Sequence, residues 1–161
     1  MEISRPTMGD VEPLVDCWVA LAADQRQYGS RLLPEENREP VAEAIAQHIV
    51  SDGLLVAREE AIRGFVMYRV ETGRYLEDRT TGVIVNLYVD PAIRDQGIGS
   101  RLLAAAEAEL ADAGVDTVTL EVLAANDAAR RFYARHGYRS HRVELAKSLS
   151  SENDTHSKEG G

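Results

Sequence analysis

The stretch that decides the fold reads Val85-Asn86-Leu87-Tyr88-Val89-Asp90-Pro91-Ala92-Ile93-Arg94-Asp95-Gln96-Gly97-Ile98-Gly99-Ser100-Arg101-Leu102-Leu103. Its first part is rich in β-branched and other apolar residues and stops at Pro91, which is typical of a strand end. After a short turn, two glycines open a segment whose apolar residues have helical spacing. A helix start leaves backbone N–H groups without partners, so the sequence predicts an anion site at this turn.

Three kinds of anion loop compete for this turn. A dinucleotide loop needs a third glycine, and Leu102 stands where that glycine belongs. A Walker loop needs Gly-Lys-Ser/Thr, a tripeptide that does not occur in the sequence. The pattern R-x-x-G-x-G, written here as Arg94 to Gly99, resembles the acetyl-CoA pyrophosphate loop of the GNAT (GCN5-related) N-acetyltransferase superfamily. An ordinary glycine-rich turn without a ligand is the remaining alternative.

A second segment strengthens the resemblance: Asn126-Asp127-Ala128-Ala129-Arg130-Arg131-Phe132-Tyr133-Ala134-Arg135-His136-Gly137-Tyr138. It is similar to the other GNAT block, N-x-x-A-x-x-F-Y-x-x-x-G-[FY]. The two blocks stand in the family's order, and the resemblance covers about residues 1–145. It implies an α/β fold (α+β by some schemes) with a mixed, mostly antiparallel sheet of six to seven strands and helices on both faces.

Apolar periodicity and turn residues predict the order β-α-α-β-β-β-α-β-α-β. We expect strands at residues 1–6, 54–58, 62–70, 81–90, 117–123 and 138–145, and helices at 10–25, 40–50, 97–113 and 126–136. The strands on either side of the third helix should be parallel neighbours, because a helix crossover joins them. Residues 1–147 are expected to form one acetyltransferase domain, followed by a disordered polar tail, 148–161.

The resemblance also implies which residues bind acetyl-CoA. The family's strand before the loop carries a bulge and diverges from the next parallel strand, so the backbone of Leu87, Tyr88 and Val89 should contact pantetheine. The diphosphate would lie on the loop that consists of Arg94, Asp95, Gln96, Gly97, Ile98, Gly99, Ser100 and Arg101. Asn126 would hold the pantetheine arm, although Asn is also a good helix N-cap. The backbone N–H of Leu87 or Val89 could polarise the thioester carbonyl.

Two side chains are candidates for proton transfer. The resemblance places Tyr133 beside the acetyl-CoA sulfur, where its phenol would protonate the departing thiolate; the alternative is a partly buried core tyrosine. Glu121 is the leading candidate for the base that deprotonates the amine, in mid-strand on the side of Thr117 and Thr119; the alternative is a solvated glutamate. Asn86 and Tyr88 could orient a water instead. On a regular strand these two share a face with Ile84 and Asp90.

Other candidates are weaker. Residues that would suit a cationic acceptor are Asp24, Tyr28, Glu35, Glu36, Glu77 and Asp78, but on an acidic protein the carboxylates also read as ordinary surface. Cys17 lies on an apolar helix face and is predicted to be a core residue. Phe132 is also predicted to be a core residue. His136 precedes Gly137, a predicted helix C-cap, and reads as structural.

Composition limits the function classes. With 161 residues, one cysteine and a net charge of −9, the chain fits one domain that needs no disulfide, and its charge disfavours nucleic acid. No stretch is long and apolar enough for a membrane span and no signal peptide is evident, so we expect a cytoplasmic protein. Of 18 Lys and Arg, only Lys147 and Lys158 are lysines, which suits either a salt-rich cytoplasm or a GC-rich genome.

The sequence therefore predicts an acyltransferase that moves the acetyl group of acetyl-CoA to a primary amine by direct attack in a ternary complex. No metal is expected, and the resemblance suggests a homodimer. A non-catalytic CoA-binding module of the same fold is the first alternative. A nucleotide-binding regulator is the second.

Overall fold

The computed structural model describes residues 1–150. The strands are β1 (Glu2–Ser4), β2 (Leu54–Glu59), β3 (Ala61–Val70), β4 (Thr81–Val89) and β5 (Thr117–Leu120). The α-helices are α1 (Val11–Gln25), α2 (Arg38–Val50), α3 (Ile98–Asp112) and α4 (Asp127–Arg135). Short 3-10 turns precede α1 and α2, follow α1, and lie between β4 and α3. The order of the strands and α-helices is the one predicted, except for the last strand.

The strands form one mixed sheet with the spatial order β1-β2-β3-β4-β5. The first three neighbouring pairs are antiparallel, and β4 pairs with β5 in parallel. The parallel pair is the one expected from the crossover through α3. A mixed, mostly antiparallel sheet is thus confirmed.

Helices cover both faces of the sheet. On one face, α1 and α2 bury Leu14, Trp18 and Ile45 against Phe65 and Tyr88 of the sheet. On the other face lies α3, whose Leu102 and Leu110 are at most 2% exposed. A glycine lets strand and helix approach closely there: a Cβ on Gly82 would lie 2.9 Å from Leu110 Cδ2. The predicted helices on both faces are confirmed.

The last predicted strand, residues 138–145, is wrong: these residues form no strand. The segment has the alternation of a strand, but Val143 and Leu145 are 78% and 89% exposed. Alternation makes a segment competent to pair, whereas a strand also needs backbone pairing with a neighbour, and residues 138–145 pair with none of the five described strands. The described sheet therefore has five strands rather than six to seven. The strand at 117–123 is also shorter than predicted, since β5 ends at Leu120.

Residues Met1–Arg130 form one compact unit, and the described residues from Arg131 onwards form a second. The boundary falls within α4, so Asn126 belongs to the first unit and Tyr133 to the second. The predicted single domain over 1–147 remains a prediction. Most of the predicted tail, residues 151–161, lies outside the described residues.

Candidate active site

Strand β4 has a different partner arrangement along its two halves. Its closed half, Thr81–Ile84, pairs with β3 on one side and with Thr117–Leu120 of β5 on the other. Its open half, Val85–Val89, pairs with β3 alone, because β5 ends at Leu120 and no described residue continues the ladder. The open half therefore presents a backbone edge to a gap, as the predicted divergence of the two strands requires.

The open half begins at a β-bulge. Met67 pairs with Asn86 and Tyr68 with Ile84, so Val85 has no residue opposite it on β3. A bulge shifts the alternation of side chains by one residue. Asn86 and Tyr88 therefore lie on the face of α1 and α2, whereas Ile84 lies on the opposite face with Gly82. The prediction that Ile84, Asn86, Tyr88 and Asp90 share one face is wrong at Ile84 for this reason.

The backbone N–H and C=O groups of the open half point alternately to β3 and to the gap, so two residues are favoured for ligand contact. The N–H of Asp90 donates to the Arg63 carbonyl on β3 at 2.8 Å. Backbone groups of successive strand residues point to opposite sides, so Asn86 and Tyr88 also point to β3. The N–H and C=O groups of Leu87 and Val89 then point to the gap. These are the two residues whose N–H groups are expected to polarise a thioester carbonyl.

The loop between β4 and α3 has the geometry of an anion cradle. The Asp90 carboxylate accepts a hydrogen bond from Ala92 N–H at 3.0 Å and so starts the turn Pro91–Ile93. Asp95 and Gly97 follow in the left-handed region, with φ of 65° and 78°. Gly97 is the N-cap of α3, and the first helical amide bond runs from Arg101 N–H to the Gly97 carbonyl at 3.1 Å. The amides between them belong to the first turn, where a helix offers N–H groups to a ligand.

Space at the loop also fits a ligand. A Cβ on Gly97 would meet no protein atom within 4 Å. Packing against the protein therefore does not explain the glycine; positive φ does, and a side chain would project into the open space at the helix start.

Both loop arginines are exposed and anchored by backbone carbonyls. Arg94 Nε donates to the Val89 carbonyl at 3.3 Å, and an Arg101 terminal nitrogen donates to the Met1 carbonyl at 3.1 Å. Each guanidinium is thus held near the helix start with further N–H groups that could reach a phosphate. Gln96 is exposed and Ile98 is buried beneath the loop.

The side of the open half that faces α1 carries polar groups in an apolar setting. Tyr88 is 9% exposed, and its ring lies 6.1 Å from that of Phe65. Burial raises the pKa of the Tyr88 phenol, and the nearby Cys17 and Asp90 raise it further. Burial also raises the pKa of the Cys17 thiol to about 11. Cys17 packs against the core, so its prediction as a core residue agrees with its position.

Glu121 lies immediately after the last residue of β5 and is exposed. It does not lie in mid-strand, as the sequence predicts, because the ladder stops at the pair Ile84–Leu120. This position places Glu121 where the gap beside Val85 opens. Its role as a base stays a proposal.

Asn126 caps α4. Its Oδ1 accepts the N–H of Ala129 at 3.1 Å, which is the geometry of a helix N-cap. This bond supports the interpretation of Asn126 as a helix N-cap, as far as its side-chain oxygen is concerned. Contact of Asn126 with pantetheine remains a prediction.

The second unit contains Tyr133 in an aromatic group. Its ring lies 5.1 Å from that of Phe132 and 5.8 Å from that of Tyr138, both edge-on. Burial raises the pKa of the Tyr133 phenol to about 12, so the hydroxyl keeps its proton at neutral pH. Gly137 follows in the left-handed region with φ 90°, as expected of a helix C-cap. The His136 ring lies 4.7 Å from that of Phe132 and is tilted by 52° against it.

The acidic residues considered for an acceptor pocket do not form a cluster of unpaired carboxylates. Glu35 pairs with Arg38 at 2.6 Å, and Asp24 accepts a hydrogen bond from Gln27 at 2.9 Å. Glu77 and Asp78 lie on the exposed loop between β3 and β4. These contacts favour the interpretation of these residues as ordinary surface.

Sequence reasoning missed one residue beside the loop, Arg63. Its Nε lies 3.3 Å from the Asp90 carboxylate. The two residues are far apart in sequence, and no local pattern indicates their contact. The only available signal was Asp90 before Pro91, a pair that often begins a turn.

Within residues 1–150, no group of three His, Cys, Asp or Glu is placed to hold a metal ion. None of the described helices is long and apolar enough to cross a membrane.

Comparison with known proteins gives concordant matches. The profile of the acetyltransferase (GNAT) family matches residues 18–138. An aminoalkylphosphonate N-acetyltransferase of Salmonella typhimurium is 41% identical over 68 residues, which are 42% of this chain and 44% of that protein. The chain thus aligns with less than half the length of this curated relative.

Solved structures share the fold. A GCN5-related N-acetyltransferase from Ralstonia eutropha superposes with a TM-score of 0.72 at 26% identity, covering 92% of this chain and 97% of the other. The PaiA N-acetyltransferase of Thermoplasma acidophilum, solved in complex with coenzyme A, has a TM-score of 0.71 at 19% identity and covers 89% of this chain and 92% of its own. At the lower identity, the likeness shows the fold alone.

Proposed function

This chain belongs to the GNAT acetyltransferase family, and from that premise we propose that it transfers the acetyl group of acetyl-CoA to a primary amine. The family is the one predicted from the sequence, and the enzyme class expected there, an acyltransferase, agrees with it. The observation that carries the proposal is the open edge of Val85–Val89 leading directly into the cradle at Gly97.

The edge and the cradle suit the two ends of one ligand. A pantetheine arm has amides that can pair with strand backbone, as an added strand would. A diphosphate is an anion that the first turn of α3 and the arginines at 94 and 101 can hold. The solved PaiA relative binds coenzyme A, which supports the same ligand here.

Acetyl-CoA supplies an activated acyl carbon. The N–H of Leu87 or Val89 would donate to the carbonyl oxygen as negative charge develops on it. Glu121, or a water oriented by Asn86 and Tyr88, would accept a proton from the ammonium so that its nitrogen lone pair can attack. The new C–N bond forms and the C–S bond breaks, and the sulfur leaves with its electron pair. The acylated nitrogen loses its second proton to water, which leaves a neutral amide.

Tyr133 would give that sulfur its proton. A phenol with a pKa of about 12 is fully protonated at neutral pH, so it is a ready hydrogen-bond donor to a thiolate. Its contribution lies in neutralising charge as the bond breaks, and the phenolate recovers a proton from water. Asn126 would hold an amide of the arm with the side-chain group that does not cap α4.

The acceptor is proposed at the level of a primary amine. The Salmonella relative acts, by its name, on aminoalkylphosphonates, which makes these amines the first to test. Among the acidic residues considered for the acceptor, Glu35 and Asp24 have partners, and 77 and 78 lie on an exposed loop. They therefore give little support to a polycationic acceptor.

The test measures thiol release from acetyl-CoA in the presence of an amine panel: aminoalkylphosphonates, polyamines, amino acids and peptides with free amino termini. We expect release that depends on the amine. Binding of coenzyme A without release on any amine would indicate a non-catalytic module instead. Absence of coenzyme A binding would contradict the proposal as a whole.

A cytoplasmic location, a homodimer and adaptation to high salt remain predictions. Measuring mass by light scattering, and activity across a range of potassium chloride concentrations, would test the latter two.

A further inference from the structure

A bulge on β3 brings a charged side chain next to the start of the anion loop. Ala57 pairs with Gly64 and Arg58 with Ile62, so Arg63 has no residue opposite it on β2. Its carbonyl accepts the Asp90 N–H at 2.8 Å, one residue beyond the last paired residue of β4. The backbone at Arg63 thus fixes the point at which the chain leaves the sheet.

The side chain of Arg63 acts on the same residue. One carboxylate oxygen of Asp90 accepts the Ala92 N–H at 3.0 Å, and the other lies 3.3 Å from Arg63 Nε. Arg63 Nε is buried and makes no aligned hydrogen bond, so the contact is a charge pair. The two side chains are 33% and 35% exposed, which reduces screening by water compared with a fully exposed pair.

The pair has a direct consequence for the loop. In the observed orientation the carboxylate bonds Ala92 N–H with one oxygen and faces the Arg63 guanidinium with the other, so the guanidinium favours the orientation that makes the turn. The turn Pro91–Ile93 then sets the path into Asp95 and Gly97, both in the left-handed region. The direction of the first amides of α3 therefore depends on how firmly Asp90 is held.

We propose that Arg63 is a positioning residue for the diphosphate of acetyl-CoA: through Asp90 it orders residues 91–97 before the cofactor binds. This inference rests on the proposed function for its ligand. A loop already ordered does not lose that conformational freedom when the ligand binds, so affinity rises without a contact to the ligand. Arg63 acts on binding, and the chemical step does not depend on it.

The first test uses Arg63→Gln, Asp90→Asn and the double variant. Asp90→Asn keeps an oxygen for Ala92 N–H but loses the charge. We expect each single variant to weaken acetyl-CoA binding about fivefold, with kcat at saturating acetyl-CoA unchanged. The double variant should bind no more weakly than either single one, because one pair is lost in all three. Arg63→Lys should recover part of the affinity.

Arg69→Gln is the matched control. Arg69 lies near the other end of β3 and pairs with Glu71 at 3.6 Å. Its substitution removes the same charge from the same strand and should leave the acetyl-CoA affinity unchanged. Thermal unfolding of each variant shows whether the fold is retained.

The second test needs no cofactor. The Ala92 amide, bonded to Asp90, should exchange its hydrogen severalfold faster in Arg63→Gln than in the wild type. An unchanged exchange rate would overturn the proposal even if the protein binds no coenzyme A. Additive losses of affinity in the double variant would also overturn it, since they would mean that Arg63 contacts the diphosphate itself. If the wild type binds no coenzyme A, the proposed function fails, and the exchange result still decides the ordering step.

Discussion

The closed and open halves of β4 differ in their neighbours far more than in their composition. Both halves contain valine and both pair with β3, apart from the bulge at Val85, yet only the closed half has a partner on its second side. The difference arises where β5 ends at Leu120 and where Val85 adds a residue to β4. One strand is therefore paired on both sides in one half and has an unpaired edge in the other, which is the edge proposed to bind pantetheine. The change depends on backbone geometry.

The largest expected effect separates binding from turnover. The open half of β4 would bind acetyl-CoA, whereas the reaction would also need Tyr133. We expect Tyr133→Phe to lower kcat about 100-fold, because a positioned acid contributes roughly that much, with the acetyl-CoA dissociation constant unchanged. Steady-state kinetics and calorimetry measure the two. Tyr138→Phe is the control: the Tyr138 ring lies 5.8 Å from that of Tyr133, and loss of the Tyr138 hydroxyl should leave kcat within about twofold. Equal rates in wild type and Tyr133→Phe would remove Tyr133 from the mechanism.

The role of the anion loop in acetyl-CoA binding can be distinguished from its role in the stability of α3. Gly97 and Gly114 flank α3, both with positive φ, and a Cβ added at either site would have no atom within 4 Å. Alanine at either site should cost about 1 kcal/mol of unfolding free energy from the same backbone strain. Only Gly97→Ala should also weaken acetyl-CoA binding, about tenfold. Similar affinities for the two variants would mean that the loop does not hold the diphosphate.

The closed half is expected to affect stability alone. A Cβ on Gly82 would lie 2.9 Å and 3.0 Å from the two terminal carbons of Leu110, so Gly82→Ala should cost about 1–2 kcal/mol through overpacking. The KM for acetyl-CoA should not change at temperatures well below unfolding. Gly73→Ala, in the exposed loop, is the neutral control for stability. A raised KM in Gly82→Ala would show that the two halves are not independent.

The smallest expected effect is that of alkaline pH on Tyr133. Burial raises its pKa to about 12 in the folded protein, whereas a tyrosine in an unfolded chain titrates near 10. The folded state therefore binds the proton more tightly. The contribution of the Tyr133 proton to the free energy of unfolding is fully present below pH of about 10, and it is lost as pH rises towards 12.

In kinetic terms, the rate should not fall between pH 8 and about 10 through loss of the Tyr133 proton. Tyrosinate absorbance in wild type and Tyr133→Phe would identify the late-titrating group. A falling limb near pH 9 that disappears in Tyr133→Phe would contradict the raised pKa.

Local patterns predicted the helices and the loop well. The spacing of Ile98, Leu102 and Leu110 and the stop at Gly114 predict α3 to within a residue at each end. Gly97 is expected at a helix start and stands there with positive φ. These features depend on residues close in sequence, where periodicity and caps act directly.

Features that depend on distant partners are not visible in the local sequence. The family resemblance implies a bulge on this strand, but its position at Val85 depends on how β4 registers against β3, and nothing in the local sequence marks it. The end of β5 at Leu120, which removes Glu121 from the strand, and the unpaired segment at 138–145 have the same origin. The contact of Arg63 with Asp90 joins two strands, and single-sequence reasoning had no means of finding it.

The residue added at Val85 also bears on how this protein can be re-engineered. Downstream of it, Asn86 and Tyr88 look towards the first two helices while Leu87 and Val89 look towards the third. Libraries restricted to the first pair would change the packing against those helices and leave the packing against the third helix intact. Lengthening or shortening the strand by one residue ahead of the bulge would instead exchange the faces of these two pairs of side chains. The packing on both sides of the sheet would then be disrupted at once.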